Sequence, residues 1–143
     1  MSSFSQEIKD NIRKYEKRIN ATAKESVQDT VRLAQTPRGR GGRMRVLTGF
    51  LRASIAAALG RMPSGESSNP DGTTYRVGDS IDGDSVAATL LRWNPSSGDP
   101  IYIGWTANYA RPREYRDGFL RGAVEEWDTT VARVAKRVAR SGL

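Results

Sequence analysis

Residues 4–35 read FSQEIKDNIRKYEKRINATAKESVQDTVRLAQ, and the spacing of their apolar side chains decides the architecture of the chain. These side chains recur every three or four residues, which predicts one amphipathic helix: Phe4, Ile8, Ile12, Tyr15, Ile19, Ala23, Val27, Val31 and Ala34. Pro37 ends it. At 1.5 Å per residue this helix is about 48 Å long, more than the core of a small domain requires. We therefore expect part of the helix to contact a neighbouring molecule.

The composition and charge of the chain limit the kinds of functional site that it can form. The 143 residues include 23 Lys plus Arg, 16 Asp plus Glu, and neither His nor Cys, which gives a formal net charge of +7. Such a chain cannot build a Ser-His-Asp triad, a cysteine nucleophile, a disulfide, or a thiolate or imidazole zinc site. Residues 1–61 carry 13 basic and 5 acidic side chains, whereas residues 62–143 carry 10 and 11. A polyanionic partner is therefore expected to meet the first half.

An arginine-rich stretch follows the predicted helix. Residues 37–47 contain three glycines and four arginines, which are Arg38, Arg40, Arg43 and Arg45. This composition predicts a mobile basic loop that adds nothing to the core, with all four arginines exposed. The loop is either a solvated connector or an arm that binds the phosphates of nucleic acid.

The remaining patterns predict an α+β fold, with the long N-terminal helix and a C-terminal helix packed on a small antiparallel β-sheet. We expect a single domain, 1–143, with the long helix at 1–36, strands within 48–105, and the C-terminal helix at 118–140. Thr48 is predicted as the N-cap of a short helical turn, and residues 54–59 fit a strand or a helix. Residues 60–85 form a flexible polar excursion with a hairpin at Asp82-Gly83. Residues 85–93 and 101–105 are predicted to pair as antiparallel strands.

No catalytic constellation accompanies these elements, so we expect no enzyme, cofactor or metal site. Asp79, Asp82 and Asp84 fit a solvated acidic turn, because the rest of a calcium-binding loop is missing. Glu114 lies among arginines and is expected to form salt bridges. The tryptophans are expected in the core, with Trp127 on a buried seam that includes Val124, although aromatic side chains can also stack on bases. The sequence predicts neither a signal peptide nor a membrane span.

Two stretches have features beyond local structure: Thr48-Gly49-Phe50-Leu51-Arg52-Ala53-Ser54-Ile55, and residues 109–121 (YARPREYRDGFLR). With these motifs the chain resembles the tail-completion, or minor tail component, family of long-tailed bacteriophages, to which lambda's Z-type protein is related. The family has a long N-terminal helix, a Thr-Gly-x-Leu-Arg-x-Ser-Ile stretch, a Tyr-Ala-x-x-x-Glu patch and a final helix. The matching residues are Thr48, Gly49, Leu51, Arg52, Ser54, Ile55, Tyr109, Ala110, Glu114, Phe119, Arg121 and Trp127.

The resemblance implies a structural virion protein at the head-to-tail junction, assembled in the host cytoplasm as a homo-oligomeric ring such as a hexamer. Its partners would be the phage head connector or adaptor and the tail terminator or tail tube proteins. Genomic DNA passing through the lumen would contact Arg38, Arg40, Arg43 and Arg45 without sequence specificity. A tail terminator ring is a neighbouring alternative, and a free basic nucleic-acid-binding accessory protein is an alternative from another class.

Overall fold

The computed structural model describes residues 3–83 and 85–143, and over these residues the chain has the predicted α+β fold. A long N-terminal helix and the C-terminal helices pack with a small antiparallel sheet. In chain order the elements are α1 (Phe4–Gln35), α2 (Phe50–Ala53), β1 (Ile55–Leu59), α3 (Ser85–Arg92), β2 (Ile101–Trp105), α4 (Ala110–Asp117), α5 (Phe119–Glu125) and α6 (Trp127–Arg140). Met1, Ser2 and Asp84, to which the predicted helix and acidic turn extend, lie outside the described residues.

Helix α1 forms over the predicted residues. The Ser3 hydroxyl accepts a hydrogen bond from the Gln6 backbone N–H at 3.1 Å and so caps the first turn. At the other end Thr36 is extended, and Pro37 follows. Every residue from 4 to 17 is exposed, whereas Ser26 and Ala34 are buried. About 21 Å of helix therefore projects beyond the domain; its contact with a neighbour stays a prediction.

The sheet joins two strands that are far apart in sequence. Strand β1 runs antiparallel to β2, with Ile55 opposite Trp105 and Leu59 opposite Ile101. Residues 55–59 are thus a strand, which resolves the choice that the sequence left open. The prediction that residues 101–105 pair with residues 85–93 is wrong.

Residues 85–93, predicted as a strand, form helix α3 instead. Val86 and Leu90 fit a period of two, but they also lie one helical turn apart. Helix α3 covers the outer edge of β1, where the Ser85 hydroxyl accepts a hydrogen bond from Ala57 N at 3.0 Å. The Thr89 hydroxyl donates to Ala57 O at 3.3 Å. Contact with this strand edge decides between two structures that the local pattern allows.

The predicted C-terminal helix is divided at Glu126 into α5 and α6. Helix α6 runs antiparallel to α1, with Arg137 paired to Glu25 at 3.1 Å. Val134 and Val138 are buried against α1, as the seam predicts. Trp127, however, is 38% exposed, and Val124 is exposed as well. Their predicted burial is wrong because the break at Glu126 interrupts the seam.

The hydrophobic core lies where the end of α1, the arginine-rich loop and α5 meet. Its buried members are Ala34, Met44, Phe50, Leu51, Ala107, Phe119 and Ala123. Met44 is fully buried, so the prediction that residues 37–47 add nothing to the core is wrong. Arg38 N donates to Met44 O at 3.0 Å, and Met44 N donates to Thr36 O at 3.3 Å. These bonds close the loop on itself and turn Met44 inward.

Residues 60–83 contain no named helix or strand, and the hairpin predicted at Asp82-Gly83 does not form within the described residues. Backbone hydrogen bonds attach this segment to the domain at two places. Tyr75 N donates to Thr48 O at 2.6 Å, and Ser67 N donates to Thr106 O at 2.7 Å. The excursion is therefore attached to the first family-like motif at Thr48 and to the chain just before the second motif at Thr106.

Candidate functional site

The two family-like motifs meet in the core. The ring of Phe50, in the first motif, lies 5.8 Å from that of Tyr75 and 6.2 Å from that of Tyr109, measured between centroids. Trp105 and Phe119 pack edge to face at 5.2 Å. Leu51 is buried in the same cluster, and Ala110 packs against it. Much of the resemblance therefore lies in residues that build the core.

Thr48 and Gly49 shape the turn that starts α2. The Thr48 hydroxyl accepts a hydrogen bond from Phe50 N at 3.2 Å. The N-cap of α2 is Gly49, however, so the predicted N-cap at Thr48 is wrong by one residue. Gly49 has φ +85°, and a Cβ there would lie 2.3 Å from the carbonyl oxygen of Tyr75. Only glycine fits, because the backbone approaches closely in a left-handed conformation. Farther along, the buried Ser54 hydroxyl donates to Leu51 O at 2.7 Å, ahead of β1.

Glu114 caps α5 instead of forming the predicted salt bridges. Its carboxylate accepts hydrogen bonds from Leu120 N at 2.8 Å and Arg121 N at 2.9 Å. Both N–H groups belong to the first turn of α5, where they have no partner within the helix. The carboxylate that pairs with arginine in α4 is Asp117, which lies 2.8 Å from Arg113.

Three of the matching side chains are exposed and available for contact with another molecule: Tyr109, Arg121 and Trp127. Arg52 is half-buried. Arg52 is held through its backbone, because its carbonyl accepts a hydrogen bond from Gln35 Nε2 at 3.1 Å. The Arg121 guanidinium lies against Gly118.

The four loop arginines are all exposed, as predicted, but they are not equivalent. Arg38 forms an ion pair with Asp117, which also binds Arg113 through two nitrogens. The Asp117 carboxylate is buried, so its charge requires these partners. The guanidinium of Arg43 lies directly over Gly122 on α5, where a Cβ would fall 1.5 Å from one of its nitrogens. Arg38 and Arg43 therefore hold the loop against α4 and α5.

Arg40 and Arg45 have no ion-pair partner within residues 3–83 and 85–143. Arg45 lines an open cavity of 570 Å³ together with Leu47, Tyr109 and Arg113. The cavity joins the arginine-rich loop to the second motif. Arg43 has no ion-pair partner among the described residues either, but its guanidinium packs over Gly122. Arg40 and Arg45 are therefore the two loop arginines best placed to bind an external phosphate.

Sequence reasoning missed two carboxylates and a basic surface. Asp117 lies four residues after Arg113, a spacing that signals a helical ion pair, but its burial depends on Arg38, far away in sequence. Asp29 is buried and binds Arg32, Arg133 and Arg137. The hydrogen bond to Glu25 raises the pKa of Arg137 above its ordinary value. Because α6 packs along α1, its exposed Lys136 and Arg140 join the basic half of the chain.

The resemblance to the tail-completion family depends on the sequence motifs alone, because comparison with known proteins adds no match. No protein-family model matches the chain, and no curated protein or solved structure matches it either. Within the part of the chain that the structure describes, no three His, Cys, Asp or Glu side chains are grouped to hold a metal ion. Among the helices of residues 3–83 and 85–143, none combines the length and apolarity needed to cross a membrane.

Proposed function

We propose that this protein is a non-enzymatic structural component of a phage neck, a ring that completes the tail and joins it to the head connector. The observation that carries the proposal is the projecting part of α1. Its residues 4–17 are all exposed, and they include Phe4, Ile8, Ile12 and Tyr15. A helix that extends apolar side chains beyond its own domain suits a chain that functions in an assembly. The order of the motifs, which resembles that of the tail-completion family, points to a phage neck as the assembly.

Ring closure requires a further surface, and α4 offers one. Its Tyr115 is exposed almost completely, with Arg111 and Arg116 exposed beside it. Adjacent subunits in a ring use two different surfaces that repeat around the axis. We assign α4 to one of these, with Tyr109 and Arg121 next to it. The other proteins that the proposed ring contacts are the head connector or adaptor and the tail terminator or tail tube proteins.

We assign the proposed contact with DNA to Arg40 and Arg45, because Arg38 forms an ion pair with Asp117 and the guanidinium of Arg43 packs over Gly122. A ring would present this arginine pair once per subunit to DNA in its lumen. Contacts to phosphate are independent of sequence and weaken as salt rises. This contact would position DNA without reading bases.

Deletion of the gene from the phage that encodes it tests the proposal. We expect full heads and finished tails that fail to join. Tails of uncontrolled length would support the tail terminator alternative instead. Complementation with Tyr115→Asp is expected to fail, whereas Leu91→Asp, at an equally exposed apolar position on α3, restores infectious particles.

A free nucleic-acid-binding protein is the second candidate, favoured by the basic side chains that α6 adds beside α1, such as Lys136 and Arg140. It predicts that the isolated chain binds duplex DNA at low salt, with affinity that falls steeply as salt rises. Fluorescence anisotropy with labelled DNA measures this. An absence of binding at low salt excludes this candidate and leaves the ring, whose subunits act together.

A further inference from the structure

One apolar surface of the domain has no partner within the described chain. Phe4, Ile8, Ile12, Tyr15 and Ile19 form a stripe along one face of α1, and they are 43% to 77% exposed. The same face continues toward the domain, because Ile19 and the buried Ser26 lie two turns apart. There it is covered by α6, and the residues that follow α6 reach α1 at Arg18, whose Nε donates to Leu143 O at 2.5 Å. The stripe begins where this covering helix stops.

We propose that this stripe is the contact surface for a second copy of the chain, with the two α1 helices antiparallel about a twofold axis between Ile12 and Arg13. This register interleaves the apolar side chains. In this register, Ile12, Tyr15 and Ile8 of the second helix lie at the levels of positions 13, 10 and 17 of the first helix, respectively. Each then falls between apolar residues of the first copy, as knobs do in holes.

Charge supports the same register. Lys9 and Glu16 each follow a stripe residue directly, Ile8 and Tyr15, so they lie on the same edge of the stripe. In an antiparallel twofold pair, the same edges of the two helices face each other. An axis between residues 12 and 13 puts Lys9 of each copy at the level of Glu16 of the other. The surface is thus complementary to itself in shape and in charge.

The position of α6 supports it as well. Helix α6 already covers α1 in the antiparallel direction. A second α1 in the proposed register brings its N-terminal end close to the C-terminal end of α6, beside residues 141–143, which reach α1 at Arg18. The partial charges of these two helix ends are opposite, which favours their approach.

This pairing uses the same projecting part of α1 that supports the proposed function, but it does not require a ring. A twofold contact closes on two copies and cannot propagate around a ring. A ring would therefore close through other surfaces, such as α4. The dimer can fail while the neck role stands, and the neck role can fail while the dimer stands.

Sedimentation of the full chain tests whether the dimer exists. The contact spans about 24 Å of two helices, so it is smaller than a standard interface and its dissociation constant is expected in the micromolar range. We expect the mass to rise from 15.8 kDa toward twice that value between about 5 and about 500 µM. A monomer at every concentration overturns the proposal and leaves the stripe to a different protein.

Crosslinking tests the direction of the helices, and the chain has no native cysteine to interfere. Ile12→Cys lies beside the proposed axis, so a short bis-maleimide should link two copies. Phe4→Cys serves as the matched control, because its two sites lie about 25 Å apart along the antiparallel pair. Equal crosslinking at both sites indicates a parallel pair and overturns the proposal, as does failure at both.

Charge reversal tests the register. Lys9→Glu and Glu16→Lys should each shift the dissociation constant upward about tenfold, because each places like charges opposite one another. Mixing the two variants should restore a heterodimer with affinity at least that of the original. Lys17→Glu, which changes the charge equally on the opposite face of α1, should leave the dimer unchanged. If Lys17→Glu weakens the dimer as much as Lys9→Glu does, or if the mixture does not recover, the register is wrong.

Discussion

Arg38 forms an ion pair with Asp117, whose side chain is fully buried although that of Arg38 is 57% exposed. The arginine belongs to the loop after α1, and the aspartate is the last residue of α4. An arginine that the sequence assigns to DNA therefore also holds two parts of the domain together. This separates the structural arginines of the loop from those free to act outside it.

Replacement of Asp117 by Asn is expected to lower the free energy of unfolding by about 2 kcal/mol. The change removes a buried charge that binds Arg38 and Arg113, and it leaves the mostly buried Arg113 without its carboxylate. Urea unfolding followed by circular dichroism measures the loss. Asp71→Asn, at an exposed site, should stay within about 0.5 kcal/mol of the original chain. Equal stability of the two variants would contradict a structural role for Asp117.

Two double variants that remove the same amount of charge distinguish the loop arginines that stabilise the domain from those that do not. Arg38→Gln with Arg43→Gln is expected to cost about 1 kcal/mol of stability, because both guanidinium groups contact α4 or α5. Arg40→Gln with Arg45→Gln should change stability by less than about 0.5 kcal/mol. Thermal and urea unfolding of both double variants test this. A larger loss in the second pair would show that Arg40 and Arg45 also stabilise the domain.

Gly49→Ala should lower stability by about 3 kcal/mol or more. Its φ is +85°, and the added Cβ would lie 2.3 Å from the Tyr75 carbonyl oxygen. Gly60 is a matched control, because its φ is +87° and nothing lies within 4 Å of a Cβ there. Gly60→Ala should cost only about 1 kcal/mol, the strain of a left-handed backbone. Urea unfolding of the two variants thus separates the close approach from the backbone conformation.

Trp127→Ala is expected to cost about 1 kcal/mol, less than the loss of about 3 kcal/mol that a core position predicts. The reason is the exposure of Trp127 at the start of α6. Phe119→Ala, in the core beside Trp105, should cost about 3 to 5 kcal/mol. Chemical denaturation compares the two. A full core cost for Trp127→Ala would mean that Trp127 packs more tightly than its exposure indicates.

The sequence predicts α1 well and α3 wrongly for the same physical reason. A helix of 32 residues repeats its apolar period many times, so no other structure fits it. The eight residues of α3 contain too few repeats to separate a period of two from one of 3.6. Its structure depends on the edge of β1, to which Ser85 and Thr89 bind. Short elements are decided by what they pack against.

The candidate site, too, is only partly predictable from the sequence. The sequence points to Gly49 and Phe119 through motifs, and the structure places both in the core region. It also marks the arginines of residues 37–47 as exposed, which is confirmed. It does not reveal that Glu114 caps α5 or that Met44 is buried. Those outcomes depend on chain segments that approach only when the domain folds.

By itself the sequence determined the long helix, the α+β class, the absence of histidine and cysteine chemistry, and the position of the basic loop, because each follows from composition or from a long local period. Tertiary structure alone decided which strand pairs with β2, where the C-terminal helix breaks, and how the charges are used. Asp117 shows the reason. Its burial and its pairing with Arg38 require two segments of the chain that only packing brings together.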